Sequence, residues 1–147
     1  MFARLLRSVP PLAFYLVYCQ SLTAQSVLTT QEIGDGGPAI RAVLNGPTSL
    51  TFDPKGNLYI VEMAGNRIRK VESQTGIVST VVGHGEECLG NDCEYSDREK
   101  GTELIVGGLQ GVASDSEGMI YFSQIGKGLI RRLDMSTGRV QWGCPLE

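Results

Sequence analysis

A single histidine, His84 in Gly83-His84-Gly85, limits the chemistry open to these 147 residues. Acyl-transfer and hydrolytic nucleophiles need a base beside them, most often a histidine oriented by a carboxylate. With one histidine, neither a Ser-His-Asp arrangement nor a His-rich metal cluster can be assembled, and His84 reads as a surface turn residue. Cysteine is the next candidate. Cys88 and Cys93 flank Leu89-Gly90-Asn91-Asp92, a turn-like stretch that would close a small disulfide loop in an oxidising compartment. Pairing of either with Cys144 stays open. A zinc site is disfavoured, because no second cysteine pair stands at ligand spacing. Gly34-Asp35-Gly36-Gly37 suggests a phosphate cradle, but no helix follows it with Lys or Ser at P-loop spacing, so the stretch is read as a loop.

Residues 1–24 differ from the rest. Arg4 and Arg7 give a basic start, Pro11 to Tyr18 is apolar, and Leu22-Thr23-Ala24 offers a small residue at a cleavage point. This is the pattern of a secretory signal cleaved after Ala24, which places the protein outside the cell or in a periplasm. The apolar part is shorter than the roughly 20 residues a membrane span needs, so no span is expected after cleavage. An uncleaved N-terminal anchor and a mitochondrial presequence are the rival readings, and the bulky Tyr18 beside Cys19 argues against lipoprotein anchoring. Cleavage removes two of 13 basic residues and none of 16 acidic ones, moving the net charge from −3 to −5. An acidic chain without a continuous basic face is a poor nucleic-acid ligand.

The elements that would position any site are short. Glycine is enriched, at 19 copies against roughly 10 expected from average usage, as in chains with many tight turns between strands. Residues 46–78 and 108–140 align without a gap at a spacing of 62. Nine positions are identical: Gly46/Gly108, Asp53/Asp115, Gly56/Gly118, Tyr59/Tyr121, Ile68/Ile130, Arg69/Arg131, Thr75/Thr137, Gly76/Gly138 and Val78/Val140. Chance would give roughly two, so this is an internal repeat.

In the first copy, turns at Pro54-Lys55-Gly56-Asn57, Ala64-Gly65-Asn66 and Ser73 to Gly76 separate strands expected at Ser49 to Asp53, Leu58 to Glu62, Arg67 to Glu72 and Ile77 to Val82. Four strands joined this way make an antiparallel meander. Leu58-Tyr59-Ile60-Val61 and Ile120-Tyr121-Phe122 are apolar on consecutive positions, so both faces of each sheet call for cover. Stacked blades of a β-propeller provide it.

The motifs Gly34-Asp35-Gly36-Gly37-Pro38-Ala39, Phe52-Asp53-Pro54-Lys55-Gly56-Asn57-Leu58-Tyr59-Ile60 and Asn66-Arg67-Ile68-Arg69-Lys70-Val71, with Thr75-Gly76, resemble the NHL repeat of β-propellers. The second copy keeps Asp115, Gly118, Tyr121, Ile130, Arg131, Thr137 and Gly138 but has Gly128-Leu129 in place of Asn66-Arg67. The resemblance implies an all-β fold of NHL-type blades, two visible and the ring incomplete. The expected division is a signal at 1–24, an N-terminal segment with the Gly34 to Ala39 inter-blade loop at 25–43, a first blade at 44–83, a cysteine-containing loop at 84–103 and a truncated second blade at 104–147. Within the blades, Gly56 and Gly118 are expected at positive φ, Asp53 and Asp115 as acceptors for the turn N–H groups, and Arg69 and Arg131 as partners of acids on neighbouring strands; Tyr59 and Tyr121 belong to the packed repeat.

Propellers use four to eight blades. Two blades point to a piece of a longer protein, to an oligomeric ring, or to a partial propeller whose open face invites self-association. The functional expectation is an exported binding scaffold, without a cofactor, for a protein, peptide or glycan partner. The resemblance also implies an enzyme alternative, a piece of a six-bladed lactonase- or lyase-like propeller with a divalent cation such as calcium at the central channel. Glu62, Asp92 and Asp97 are the acids that could be offered as its ligands, and no motif selects them.

Overall fold

The computed structural model describes residues 29–86 and 99–142. The leader, all four cysteines, Asp92 and Asp97 lie outside them, and with them the disulfide and leader expectations.

Among the described residues, eight strands form two antiparallel four-stranded meanders. The first contains β1 (Pro47–Phe52), β2 (Leu58–Glu62), β3 (Arg67–Val71) and β4 (Val78–Val82). The second contains β5 (Leu109–Ser114), β6 (Ile120–Gln124), β7 (Leu129–Asp134) and β8 (Arg139–Trp142). The fold is all-β, as the repeat implied, with short 3-10 turns at Ala39–Arg41, Gly101–Glu103 and Ile125–Lys127. None of the helical segments described is long and apolar enough to cross a membrane.

Strand ends differ from the expected bounds where a backbone group is needed by a turn. Asp53 leaves β1 because its N–H bonds the Asn57 carbonyl at 3.0 Å to close the first hairpin. Glu72 leaves β3, its N–H donating to Ile77 at 2.9 Å across the next turn. Ile77 leaves β4 and forms an isolated bridge with Pro38.

The repeat also reaches further towards the N-terminus than the aligned segment. Gly36 donates to Val78 and Ala39 to Gly76, each at 2.8 Å, so residues 36–39 lie along the outer edge of the first sheet. Sixty-two residues later, Gly101 donates to Gly138 and Val140 to Glu99, each at 2.8 Å, and Lys100 bridges Arg139. Gly101 also accepts from Gly83 at 2.8 Å, which ties the end of the first sheet to the start of the second unit.

Side chains alternate across a strand, and cross-strand partners share a face. Tyr59, Val61 and Ile68 therefore share one face of the first sheet, and Ile120, Phe122, Leu133 and Val140 share one face of the second. These two faces meet in one buried cluster with Val82, Leu104, Val106 and Leu109. Burying each large side chain contributes about 1.5–3 kcal/mol, so this sandwich is the main cohesive contact between the sheets. Two hydroxyls fix its register: the Val112 N–H donates to Ser49 Oγ at 3.3 Å, and Thr48 Oγ1 donates to the Gln110 carbonyl at 3.2 Å.

Candidate binding groove between the sheets

The first hairpin turns on Asp53. Its Oδ1 accepts the Lys55 and Asn57 backbone N–H groups, both at 2.9 Å, and its Oδ2 accepts Asn57 Nδ2 at 2.8 Å and the Tyr59 hydroxyl at 3.2 Å. Gly56 sits in the turn at φ 78°, a conformation that a side chain resists. Asn57 carries the network onward, its Oδ1 accepting the Ser73 N–H at 3.0 Å, while Ser73 Oγ donates back to the Lys55 carbonyl at 3.0 Å. The hairpin tip is thereby tied to the turn between β3 and β4.

The second hairpin repeats this with Asp115, whose Oδ1 accepts the Glu117 and Met119 N–H groups at 2.9 Å and whose Oδ2 accepts the Tyr121 hydroxyl at 3.1 Å. Gly118 has φ 84°. Met119 replaces Asn57, so the side-chain amide bond of the first hairpin has no counterpart.

These contacts set the protonation states. Burial disfavours the charge on Asp53, but the bonds from Asn57, Lys55 and Tyr59 outweigh it and hold the carboxyl below its ordinary range. Tyr59 is pushed well up, first by burial and then by the Asp53 charge. The same directions hold for Asp115 and Tyr121. Each pair is locked as carboxylate and phenol around neutrality, which suits a fixed hydrogen-bonding scaffold rather than proton transfer.

Between the hairpins lies a groove of about 450 Å³. The first sheet contributes Lys55, Tyr59, Lys70 and Glu72, and the second Glu117, Met119, Asp134 and Met135. Asp134 is held below the usual carboxylate range by the Ser136 hydroxyl and N–H. The groove thus presents two ammonium groups and several carboxylates beside thioethers and an aromatic ring, on backbone fixed by the two Asp-centred turns. Such a surface offers ion-pair and hydrogen-bond partners to a polar group.

A second polar cluster is buried. Arg69, fully enclosed, donates to Glu62 Oε1 on β2 at 2.9 Å, to Asp35 Oδ1 at 2.6 Å and to the Ile33 carbonyl at 3.2 Å. Its acids therefore come from a neighbouring strand and from the N-terminal segment, whereas both were expected on neighbouring strands. Asp35 Oδ2 also accepts the Thr80 N–H at 3.1 Å. Glu62, offered above as a metal ligand, serves as this ion-pair partner. Arg131 is likewise buried, with its guanidinium carbon 5.7 Å from the centre of the Trp142 ring, and the place of Glu62 is taken by Gln124. Among the described residues no group of three or more His, Cys, Asp or Glu side chains is arranged to hold a metal ion. The His84 carbonyl accepts from Arg67 Nη2 at 2.7 Å, so this residue contributes its backbone to the packing of the first blade.

The groove was not visible as a site in the sequence. Lys70 and Asp134 stand 64 positions apart, and nothing local marks them. For Asp35 the sequence does hold a signal, since the 62-residue register matches it to Asp97.

The family model of the Teneurin NHL domain matches residues 24–88. Among individual proteins, the chain is 43% identical over 53 residues to Teneurin-3 of Mus musculus, covering 36% of this chain and 2% of that protein. It is 34% identical over 93 residues to Teneurin-3 of Danio rerio, covering 58% of this chain and 3% of that one. The chain thus spans only a few per cent of the length of these relatives. Among solved structures, virginiamycin B lyase from Staphylococcus aureus overlays at a TM-score of 0.45 with 16% identity, covering 69% of this chain and 28% of that chain. A streptogramin B lyase overlays at 0.44 with 18% identity, covering 69% and 27%. The sequence repeat, the two matching meanders and the family-model match agree: the chain is an NHL-repeat protein, and its two four-stranded sheets are β-propeller blades.

Proposed function

We propose that this chain is an exported binding scaffold, two blades of a larger propeller ring, that holds a protein, peptide or glycan partner in the groove between its blades. The observation that carries this reading is the groove itself, in which Lys55, Lys70, Glu72, Glu117 and Asp134 converge on rigid hairpins around a partly apolar floor. Fixed charges of both signs favour a partner with alternating polar groups over a single small anion or an apolar ligand. Export rests on the leader pattern of residues 1–24, and an oxidising compartment would also suit a Cys88 to Cys93 disulfide. The larger ring is supported by blade number, because propellers close with at least four.

The test is binding of the full chain to peptide and glycan arrays, repeated with Lys55→Ala and Glu117→Ala, which remove exposed groove charges and leave the Asp-centred turns intact. Loss of the same array signals in both variants supports the reading. Undiminished binding in both variants overturns the groove. Calcium-dependent thermal stabilisation together with lactone hydrolysis would instead favour the enzyme alternative.

A further inference from the structure

The two sheets do not receive equal cover. On the second sheet, Ile120, Phe122 and Leu133 are fully buried against the first. Their repeat equivalents, Leu58, Ile60 and Val71, are only partly buried, and beside them Leu50 and Phe52 are 63% and 60% exposed. This is the inner half of the first sheet's free face, formed by β1 and β2.

At the opposite end, the second sheet offers the surface that would fit it. Inside the chain, Tyr59 and Ile68 are two of the residues that press on the second sheet. Their equivalents are again Tyr and Ile: Tyr121 is half-buried, and Ile130 is 56% exposed. Those positions share the outward face of the second sheet. Among the described residues, the chain therefore carries both halves of its own internal interface a second time, partly exposed, on the outward faces of its two sheets.

Charge agrees with shape. Lys55 and Lys70 line the internal groove from the first sheet, and Glu117 and Asp134 line it from the second. If another chain docked in the same relation, Glu117 would take the place of Lys55, and Lys55 of that copy the place of Glu117, so opposite charges would again line the two sides. Arg132 would take the place of Lys70, and Glu72 of that copy the place of Asp134, which keeps a cation on one side and an acid on the other.

We infer that the open face of Leu50, Phe52, Leu58 and Ile60 docks, head to tail, on the Tyr121 and Ile130 face of a second copy of this chain. Such a contact is heterologous, so it grows until the rotation closes a ring. Two to four chains would supply the four to eight blades of known propellers. The inference rests on the reading of this chain as two blades of a larger ring, and not on groove binding; mass in solution and array binding fail independently.

The experiment is the mass of the full chain by sedimentation equilibrium in reducing buffer, which removes cysteine cross-links. The wild type is expected as a discrete multiple of 15.9 kDa. Leu50→Lys disables one face and Ile130→Glu the other, at exposed positions outside the core, so each variant alone is expected as a monomer. Mixed, they still possess one intact face each and should form a heterodimer that grows no further. A variant that misfolds would not yield that heterodimer, and Phe52→Lys then serves in place of Leu50→Lys. A wild type that stays monomeric at its highest soluble concentration overturns the inference and leaves the face to further blades of a longer chain. An oligomer that persists in both single variants overturns it too.

Discussion

Arg69 and Asp35 meet at 2.6 Å across 34 residues of chain, and this contact secures the N-terminal segment to the first blade. The guanidinium is fully buried on β3, while Asp35 also accepts the Thr80 N–H from β4. Asp35→Asn leaves the buried cation short of a counter-charge. The expected loss is about 3 kcal/mol, because breaking one partner out of a buried pair exposes the desolvation cost of the other. Urea unfolding of the two proteins at neutral pH measures it.

Glu62 behaves differently, although it bonds the same arginine. Burial raises its carboxyl above the ordinary value of 4.5, and Arg69 offsets only part of that. A carboxyl that holds its proton more tightly when folded stabilises the fold as pH falls from its raised value towards 4.5. Glu62→Gln, which copies Gln124 of the second blade, should therefore change stability at neutral pH by less than Asp35→Asn does. It should also abolish the gain on mild acidification, as read from urea midpoints across that window. A loss as large as that of Asp35→Asn would contradict this account.

Asp53 has the opposite sign. Its carboxyl lies below the ordinary 3.8, so the stability it contributes is complete above that value and disappears as pH falls through the lowered one. Asp53→Asn turns one acceptor oxygen into a donor facing groups that already donate. The expected cost is about 2 kcal/mol at neutral pH, together with a flatter acid limb in the pH dependence of unfolding. Thermal melts at neutral and acidic pH show both.

Gly101 is held by space. A β-carbon there would overlap the Val81 carbonyl oxygen and press on Leu133 at 3.3 Å. Gly101→Ala must shift backbone that carries the bonds to Gly83 and Gly138, at an expected 1–3 kcal/mol or about that range. Faster amide exchange at Gly83 and at Val140 would locate the damage at the junction of the blades.

Phe122 and Ile60 occupy equivalent positions in the two blades. Phe122 is enclosed between the sheets, and Phe122→Ala should cost about 3–5 kcal/mol through lost burial and a residual cavity. Ile60→Ala in dilute solution should cost markedly less, because part of its surface already faces water. Denaturation of both variants under conditions that keep the chain monomeric makes the comparison.

Much of the fold was legible in the chain because its determinants are local. Pro54-Lys55-Gly56-Asn57 specifies a turn wherever it stands, and the apolar run of Leu58 to Val61 needs cover on both sides of a strand. Repetition at a spacing of 62 then implied two like blades. Strand ends were less legible, since Asp53, Glu72 and Ile77 were claimed by turn and edge hydrogen bonds that only form once the neighbouring strand is in place. The groove and the buried ion pair depended wholly on the folded arrangement. Lys55 and Glu117, which line one groove, and Arg69 and Asp35, which form an ion pair, are distant in the chain, and their placement follows from how the sheets stack and how residues 36–39 bind the outer strand. The repeat made both blades alike in sequence; packing made them unequal, because a face is buried only when another face lies against it.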